Sequence, residues 1–417
     1  MENFTHLHVH TVYSVYDAIS TPDEIAEQAK LHGHTACAIT DHGNMSGTFA
    51  FQRACLKRGI KPLLGMEGYV VDKLVEEDEK GKRKRNKNNH IILLAKDEVG
   101  WKSLLKLNYL SNSDENHFYY KPRFSFKELF ENKEGLVVSS ACLASSFSNL
   151  LKLGKEKEAE DLFARFCTEF GEDFYAELQI NEIPDQKDYN QWLISQATHY
   201  GIPLILTADV HYALPEGAET QEMAFKMRDG KGEEQTFECR HLYYSGIEDF
   251  KKFNKLWNYK YTDEQIEEWC GNTMEVANKV NYLIPERTKM RLPRQAFDED
   301  REIINLAQKG LCDFFHVNSF NECPKDYRDR LLFELNLIVR KGISRYFLVL
   351  RDIIKWCDEN KISHGVARGS AGGSLVARSI GIIGNAINPM ELLFERFISN
   401  ERLVDCYIDY SKSGNSN

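Results

Sequence analysis

Six short apolar runs, at residues 4–9, 36–40, 62–71, 91–95, 136–140 and 202–208, alternate with helix-like stretches along the first half of the chain. Runs this short, each followed by a covering helix, predict β/α units around a mainly parallel sheet. Residues 22–31 carry helical spacing behind Thr21, a side chain suited to an N-cap, and residues 156–170 repeat that spacing. The fold class read from this rhythm is α/β. At 417 residues the chain exceeds one ordinary domain. Residues 216–300 read as mostly helical, and Pro285, Pro293 and the polar stretch 295–301 mark a boundary. The predicted domains are therefore 1–290 and 291–417. The second is expected to hold helices at 327–341 and 347–360, a short strand, a glycine-rich turn and a helix at 375–380. Residues 76–87 pass from acidic to basic without apolar periodicity and read as a solvated loop or hairpin tip.

The formal charge is −10, from 53 Lys and Arg against 63 Asp and Glu, so overall basicity gives no ground for nucleic-acid binding. No apolar run approaches the roughly 20 residues of a bilayer span, and the first residues lack a secretory pattern. A cytoplasmic chain without membrane contact is the expectation. Ten cysteines occur with no Cys-x-x-Cys pair, against a zinc ribbon or thioredoxin motif. Most are expected to be buried thiols.

Metal-ligating residue types fall at the ends of the apolar runs. His8 and His10 close the first as His-x-His, and alternation along an extended strand sends both imidazoles to one side. Asp17 follows. Asp41-His42 ends the second run, Glu67 interrupts the third, His90 begins the fourth, Cys142 follows the fifth, and Asp209-x-His211 follows the sixth. Parallel strands of a barrel bring their carboxyl ends to one face, where such residues can meet. Imidazoles, carboxylates and one thiolate suit Zn²⁺, Mn²⁺ or Fe²⁺ better than a hard-oxygen ion. Ions sharing carboxylate bridges activate water and stabilise both oxygens of a phosphoryl transfer, so phosphoester hydrolysis is the predicted reaction.

Thr5-His-Leu-His-Val-His-Thr11, Ile39-Thr-Asp-His-Gly-Asn44, Gly59-Ile-Lys-Pro-Leu-Leu-Gly-Met-Glu67, Ser140-Ala-Cys142 and Thr207-Ala-Asp-Val-His-Tyr212 resemble the polymerase and histidinol phosphatase (PHP) domain of bacterial DNA polymerase III alpha subunits, the family C replicative polymerases. The resemblance implies a distorted seven-stranded β/α barrel. It places the family's metal positions on His8, His10, Asp17, His42, Glu67, His90, Cys142, Asp209 and His211, all ligand-competent here. It further implies up to three Zn²⁺ or Mn²⁺ ions, a 3′-5′ exonuclease that trims mispaired primer ends, and DNA as partner.

In the second domain, Gly365-Val-Ala-Arg-Gly-Ser-Ala-Gly-Gly-Ser374 opens the helix at 375–380. Glycines permit close backbone approach, and helix-start N–H groups bind phosphate. Arg368, Gly369, Ser370 and Ser374 are the candidate contacts. Tyr346-Phe-Leu-Val-Leu350, Arg368-Gly-Ser-Ala-Gly-Gly-Ser-Leu-Val-Ala377, Asn388-Pro and Leu393-Phe-Glu-Arg-Phe397 resemble, in order, the first segment of the same family's α+β palm, whose Gly-Ser turn holds the nucleotide triphosphate. The family then carries Pro-Asp-x-Asp-x-Asp for two Mg²⁺ ions. Here only Asp409 matches, with Tyr407 and Ser411 at the flanking carboxylate positions. Polymerisation by this chain alone is not expected, and Mg²⁺ enters only if a second polypeptide completes the palm. A split gene, a truncated or degenerate copy, and splicing at Cys406 each account for the tail. Two other readings stand beside the exonuclease: a histidinol-phosphatase-type enzyme for small phosphomonoesters, and a non-catalytic scaffold for a polymerase partner.

Overall fold

The computed structural model describes residues 3–77, 79–84, 87–229, 239–285, 292–367, 369–384 and 386–399. Two compact units divide the chain, Met1–Ile284 and Pro285–Asn417.

In the first unit, strands Ala36–Ile39, Lys61–Val71, Asn89–Ala95, Leu136–Ser139, Phe174–Gln179 and Leu204–Thr207 pair in that order. The run at 4–9 is not a regular strand. It is an extended segment that joins the two ends of the sheet. Ala38 N donates to His6 O and Thr40 N to Val9 O on one side, while His10 N donates to Val210 O and Val210 N to His8 O on the other. A distorted seven-membered barrel results, with most neighbours parallel.

Asn89–Ala95 is the exception, running antiparallel to both Lys61–Val71 and Leu136–Ser139. This reversal explains the odd placement of His90. Ligands on the parallel strands lie at carboxyl ends, whereas a reversed strand reaches the same end of the barrel with its first residues. The strand Phe174–Gln179 matches none of the six runs, because Glu177 and Gln179 interrupt its apolar character although all six of its residues are buried.

Helices cover the sheet as the spacing predicts. Pro22–Leu31 begins with a capping box between Thr21 and Glu24, and Glu156–Phe170 buries Ala159, Phe163, Phe166 and Phe170 along one stripe. The helix Asp263–Lys279 closes the amino-terminal end of the barrel. Thr273 Oγ1 accepts from Thr5 N at 3.0 Å, Asn272 Nδ2 donates to Leu204 O at 2.8 Å, and Ala277 O accepts from Lys61 Nζ at 2.6 Å. The candidate ligands lie at the opposite end. Glu76–Glu77 pairs with Arg83–Lys84 as a small hairpin, in keeping with a solvated tip.

The second unit is built from helices Glu299–Phe315, Lys325–Arg340, Ser344–Glu359 and Leu375–Ser379 around Ile303, Leu311, Leu335, Ile338 and Phe347. The expected short strand before the glycine-rich turn is absent among the described residues. Residues 361–365 are exposed and pair with no other strand there, and a strand needs a partner for its backbone groups.

The start of helix Glu98–Ser111 presses on the turn before Leu136–Ser139, where a Cβ on Gly100 would stand 2.0 Å from Gly135 O. Gly100→Ala should therefore destabilise the first unit by about 1–3 kcal/mol. Thermal melting checks this, and an unchanged midpoint would remove the close approach from the account.

Candidate metal centre

The turns that leave the strands aim the ligands. Ala141 and Asp209 both adopt positive φ, 57° and 51°. That is an uncommon conformation for residues with a side chain, and here it bends the chain directly before Cys142 and at the Asp-x-His pair.

All nine side chains meet at the open end of the barrel. His8 Nε2 lies 3.1 Å from His10 Nε2, 3.0 Å from Asp209 Oδ1 and 3.3 Å from Glu67 Oε1. Glu67 also approaches His42 Nδ1 at 2.5 Å and His90 Nδ1 at 2.7 Å. Asp17 Oδ2 lies 3.0 Å from His42 Nε2, and Cys142 Sγ 3.7 Å from His90 Nδ1. The His211 ring stands 4.4 Å from that of His10. Three overlapping triads have ligand atoms within 4.8 Å of one another: His8, His10 and Asp209; His10, His42 and His211; His42, Glu67 and His90.

The donor set fits divalent cations on two counts. Glu67 Oε2, Asp209 Oδ1 and His42 Nδ1 are buried without an aligned hydrogen-bond partner, although oppositely polar atoms stand close. Such atoms cost free energy unless something binds them. The mixture of nitrogen, oxygen and sulfur donors suits a borderline transition metal.

Surrounding residues fix which ring nitrogen faces the centre. His8 Nδ1 lies 2.7 Å from Glu177 Oε1, which leaves Nε2 turned inward. Thr207 Oγ1 donates to Glu177 at 2.6 Å, and Ser139 Oγ also donates to it. His10 Nδ1 meets Ser14 Oγ at 3.1 Å, and that hydroxyl donates to Asp41 Oδ1 at 2.7 Å. His211 Nδ1 donates to Asp209 O at 2.7 Å. Holding the far nitrogen in this way orients an imidazole ligand and sets its tautomer. Sequence reading missed Glu177, Ser14 and the supporting role of Asp41. An acid within a buried strand was the available signal for Glu177.

Burial, reinforced by His42 and His211, lowers the His10 pKa to about 3. Burial also opposes charge on His8 and His42, yet Asp209, Glu177 and Glu67 raise His8 well above its ordinary value, and Glu67 and Asp17 raise His42 to about 10. Burial, then Asp209 and Glu67, push the Cys142 thiol up. Without a cation, His8, His42 and Cys142 thus hold protons at neutral pH.

The glycine-rich turn of the second unit departs from expectation. Glu334, fully buried, accepts from Leu375 N and Val376 N at 3.0 Å each and from Ser374 Oγ at 2.9 Å. Ala377 N donates to Ser374 Oγ at 3.1 Å. The helix-start N–H groups and the Ser374 hydroxyl are therefore already engaged, which corrects the prediction that they face a phosphate. Gly369 and Ser370 do front open space, a cleft of about 830 Å³ shared with Glu391, Glu395 and Arg396. Arg368, Tyr407, Asp409 and Ser411 lie outside the described residues.

The PHP domain family matches residues 6–181, and the bacterial DNA polymerase III alpha NTPase domain matches residues 301–414. The chain is 36% identical to DNA polymerase III subunit alpha of Aquifex aeolicus across 98% of its own length and 36% of that protein. It is 33% identical to the Treponema pallidum subunit across 96% and 34% respectively. It thus spans about a third of the length of these relatives. Among solved structures, an amidohydrolase from Chromobacterium violaceum aligns with 50% of this chain and 87% of its own, at 15% identity and a TM-score of 0.32, a likeness too slight to bear on function.

Two outcomes are expected. Because a binding cation must displace protons from His8, His42 and Cys142, Zn²⁺ or Mn²⁺ affinity should rise with pH, about tenfold per pH unit for each proton released between pH 6 and 8. Calorimetric titration in buffers of differing ionisation enthalpy measures that release, and pH-independent affinity would contradict it. Glu177→Gln should weaken metal affinity by on the order of 10–100-fold while circular dichroism stays unchanged.

Proposed function

We propose, on the premise that the chain belongs to the bacterial DNA polymerase III alpha family and carries its PHP domain ahead of its NTPase-domain segment, that the metal centre hydrolyses phosphodiester bonds at the 3′ end of a DNA strand. The observation that carries this reading is the convergence of seven nitrogen and oxygen ligands in three overlapping triads, with Asp17 and Cys142 beside them against His42 and His90. We divide the chain accordingly into the phosphoesterase domain with its helical extension, 1–290, and the leading part of a palm, 291–417.

His8, His10, Asp17, His42, Glu67, His90, Cys142, Asp209 and His211 would hold up to three Zn²⁺ or Mn²⁺ ions. Bound there, the ions would supply a hydroxide near neutral pH and positive charge on the phosphoryl oxygens. Glu67, in contact with four histidines, would be able to share its two oxygens between ions. Glu177, Ser14 and the Asp209 carbonyl keep three imidazoles turned toward the reacting phosphate. Asp17 and His42 line the adjoining cleft, so substrate reaches the centre from their side. In the second unit, Gly369 and Ser370, with Arg368 beside them in sequence, are proposed to take nucleotide phosphate. All nine described cysteines are free thiols, in keeping with a reducing, cytoplasmic setting.

The test is a 5′-labelled primer with a mispaired 3′ end, incubated with the chain and Mn²⁺ or Zn²⁺ beside a chromogenic phosphomonoester. Stepwise trimming is expected, and it should be abolished in His10→Ala and Asp209→Ala with the fold retained. Trimming that survives either substitution would place the reaction elsewhere. Cleavage of the monoester alone would favour a small-molecule phosphatase.

A further inference from the structure

A cleft of about 780 Å³ opens beside Asp17 and His42. Its walls carry Tyr109, Phe118, Asn108, Asn112 and Lys121. Tyr109 and Phe118 are 64% and 52% exposed, large rings left in water beside amide groups rather than folded into the core. Lys121 Nζ donates to the Tyr69 hydroxyl at 3.0 Å, and the Tyr69 ring stacks on that of His42 at 5.9 Å. An ammonium group thus stands one side chain away from the metal ligands. A second, Lys106, lies 5.3 Å from the Tyr109 ring centroid. In a chain of net charge −10, cations placed beside exposed rings complement an anionic, aromatic ligand.

We propose that this cleft is a nucleobase-stacking subsite: Tyr109 and Phe118 take unpaired bases, and Lys121 takes a backbone phosphate of a single strand whose end reaches the metal centre. The inference rests on the phosphodiesterase reading and adds the basis of its selectivity. Aromatic rings paired with cations hold single strands with little regard to sequence, because every base offers a π-face. A base inside a duplex has its faces covered by its neighbours, so only a frayed or mispaired end can present them. Tyr109 and Phe118 are accordingly specificity residues.

The test measures binding by the full-length chain in EDTA, using fluorescence anisotropy of a labelled oligo(dT) single strand and of a blunt hairpin duplex. The wild type should bind the single strand more tightly than the hairpin. Tyr109→Ala and Phe118→Ala should each weaken that binding by on the order of tenfold, and Tyr109→Phe should retain it. Tyr200→Ala, which removes an exposed ring elsewhere in the unit, serves as the control and should bind as wild type does. Equal binding by both alanine variants and the wild type, or a wild type that fails to bind the single strand or prefers the duplex, would overturn the subsite. Because the assay needs no metal, a loaded wild type that hydrolyses nothing would refute the reaction and leave the subsite standing. Unchanged binding in the alanine variants would do the reverse.

Discussion

Glu67 lies fully buried and within reach of four histidines, His8, His10, His42 and His90. A carboxylate taken out of water is tolerated only when other charges and polar groups meet it. The barrel is arranged to provide them. Lys61–Val71, the longest strand, carries Glu67 across the middle of the sheet. The reversed strand beside it delivers His90, and the closing segment delivers His8 and His10. Burial at this point lowers the His10 pKa, while neighbouring carboxylates raise those of His8 and His42. Proton-binding and proton-free imidazoles thus share one pocket, an arrangement that a divalent cation resolves by replacing the protons.

The two ends of the barrel divide the labour. At one, Asp263–Lys279 ties down the first residues of two strands and the start of the closing segment. At the other, the chain accepts unusual backbone geometry at Ala141 and Asp209. Backbone geometry of this kind persists where surrounding packing holds it in place, and at these two positions it serves the ligands. The open end continues into the cleft lined by Tyr109 and Phe118.

Much of this was legible in the sequence because most ligand residues sit at the ends of apolar runs. His-x-His and Asp-x-His fix their own side of the chain by alternation, and Thr21 announces a helix start. What escaped depended on partners distant in sequence. The direction of Asn89–Ala95 is set by pairing on both edges, and no local pattern encodes it. Phe174–Gln179 hides as a strand because Glu177 breaks its apolar character, and that acid is the residue that orients His8. Ser374 matches a phosphate-binding motif, yet Glu334, forty residues earlier, engages its hydroxyl and the following N–H groups. A motif specifies which groups are present, and only tertiary packing decides which remain free.

The central claim is that the nine side chains form one multinuclear centre. Anomalous diffraction from crystals grown with Mn²⁺ tests it most directly. The account requires anomalous density among the three triads, with the two Glu67 oxygens shared between neighbouring ions. A centre without density at saturating Mn²⁺, or ions bound only elsewhere on the chain, would contradict it.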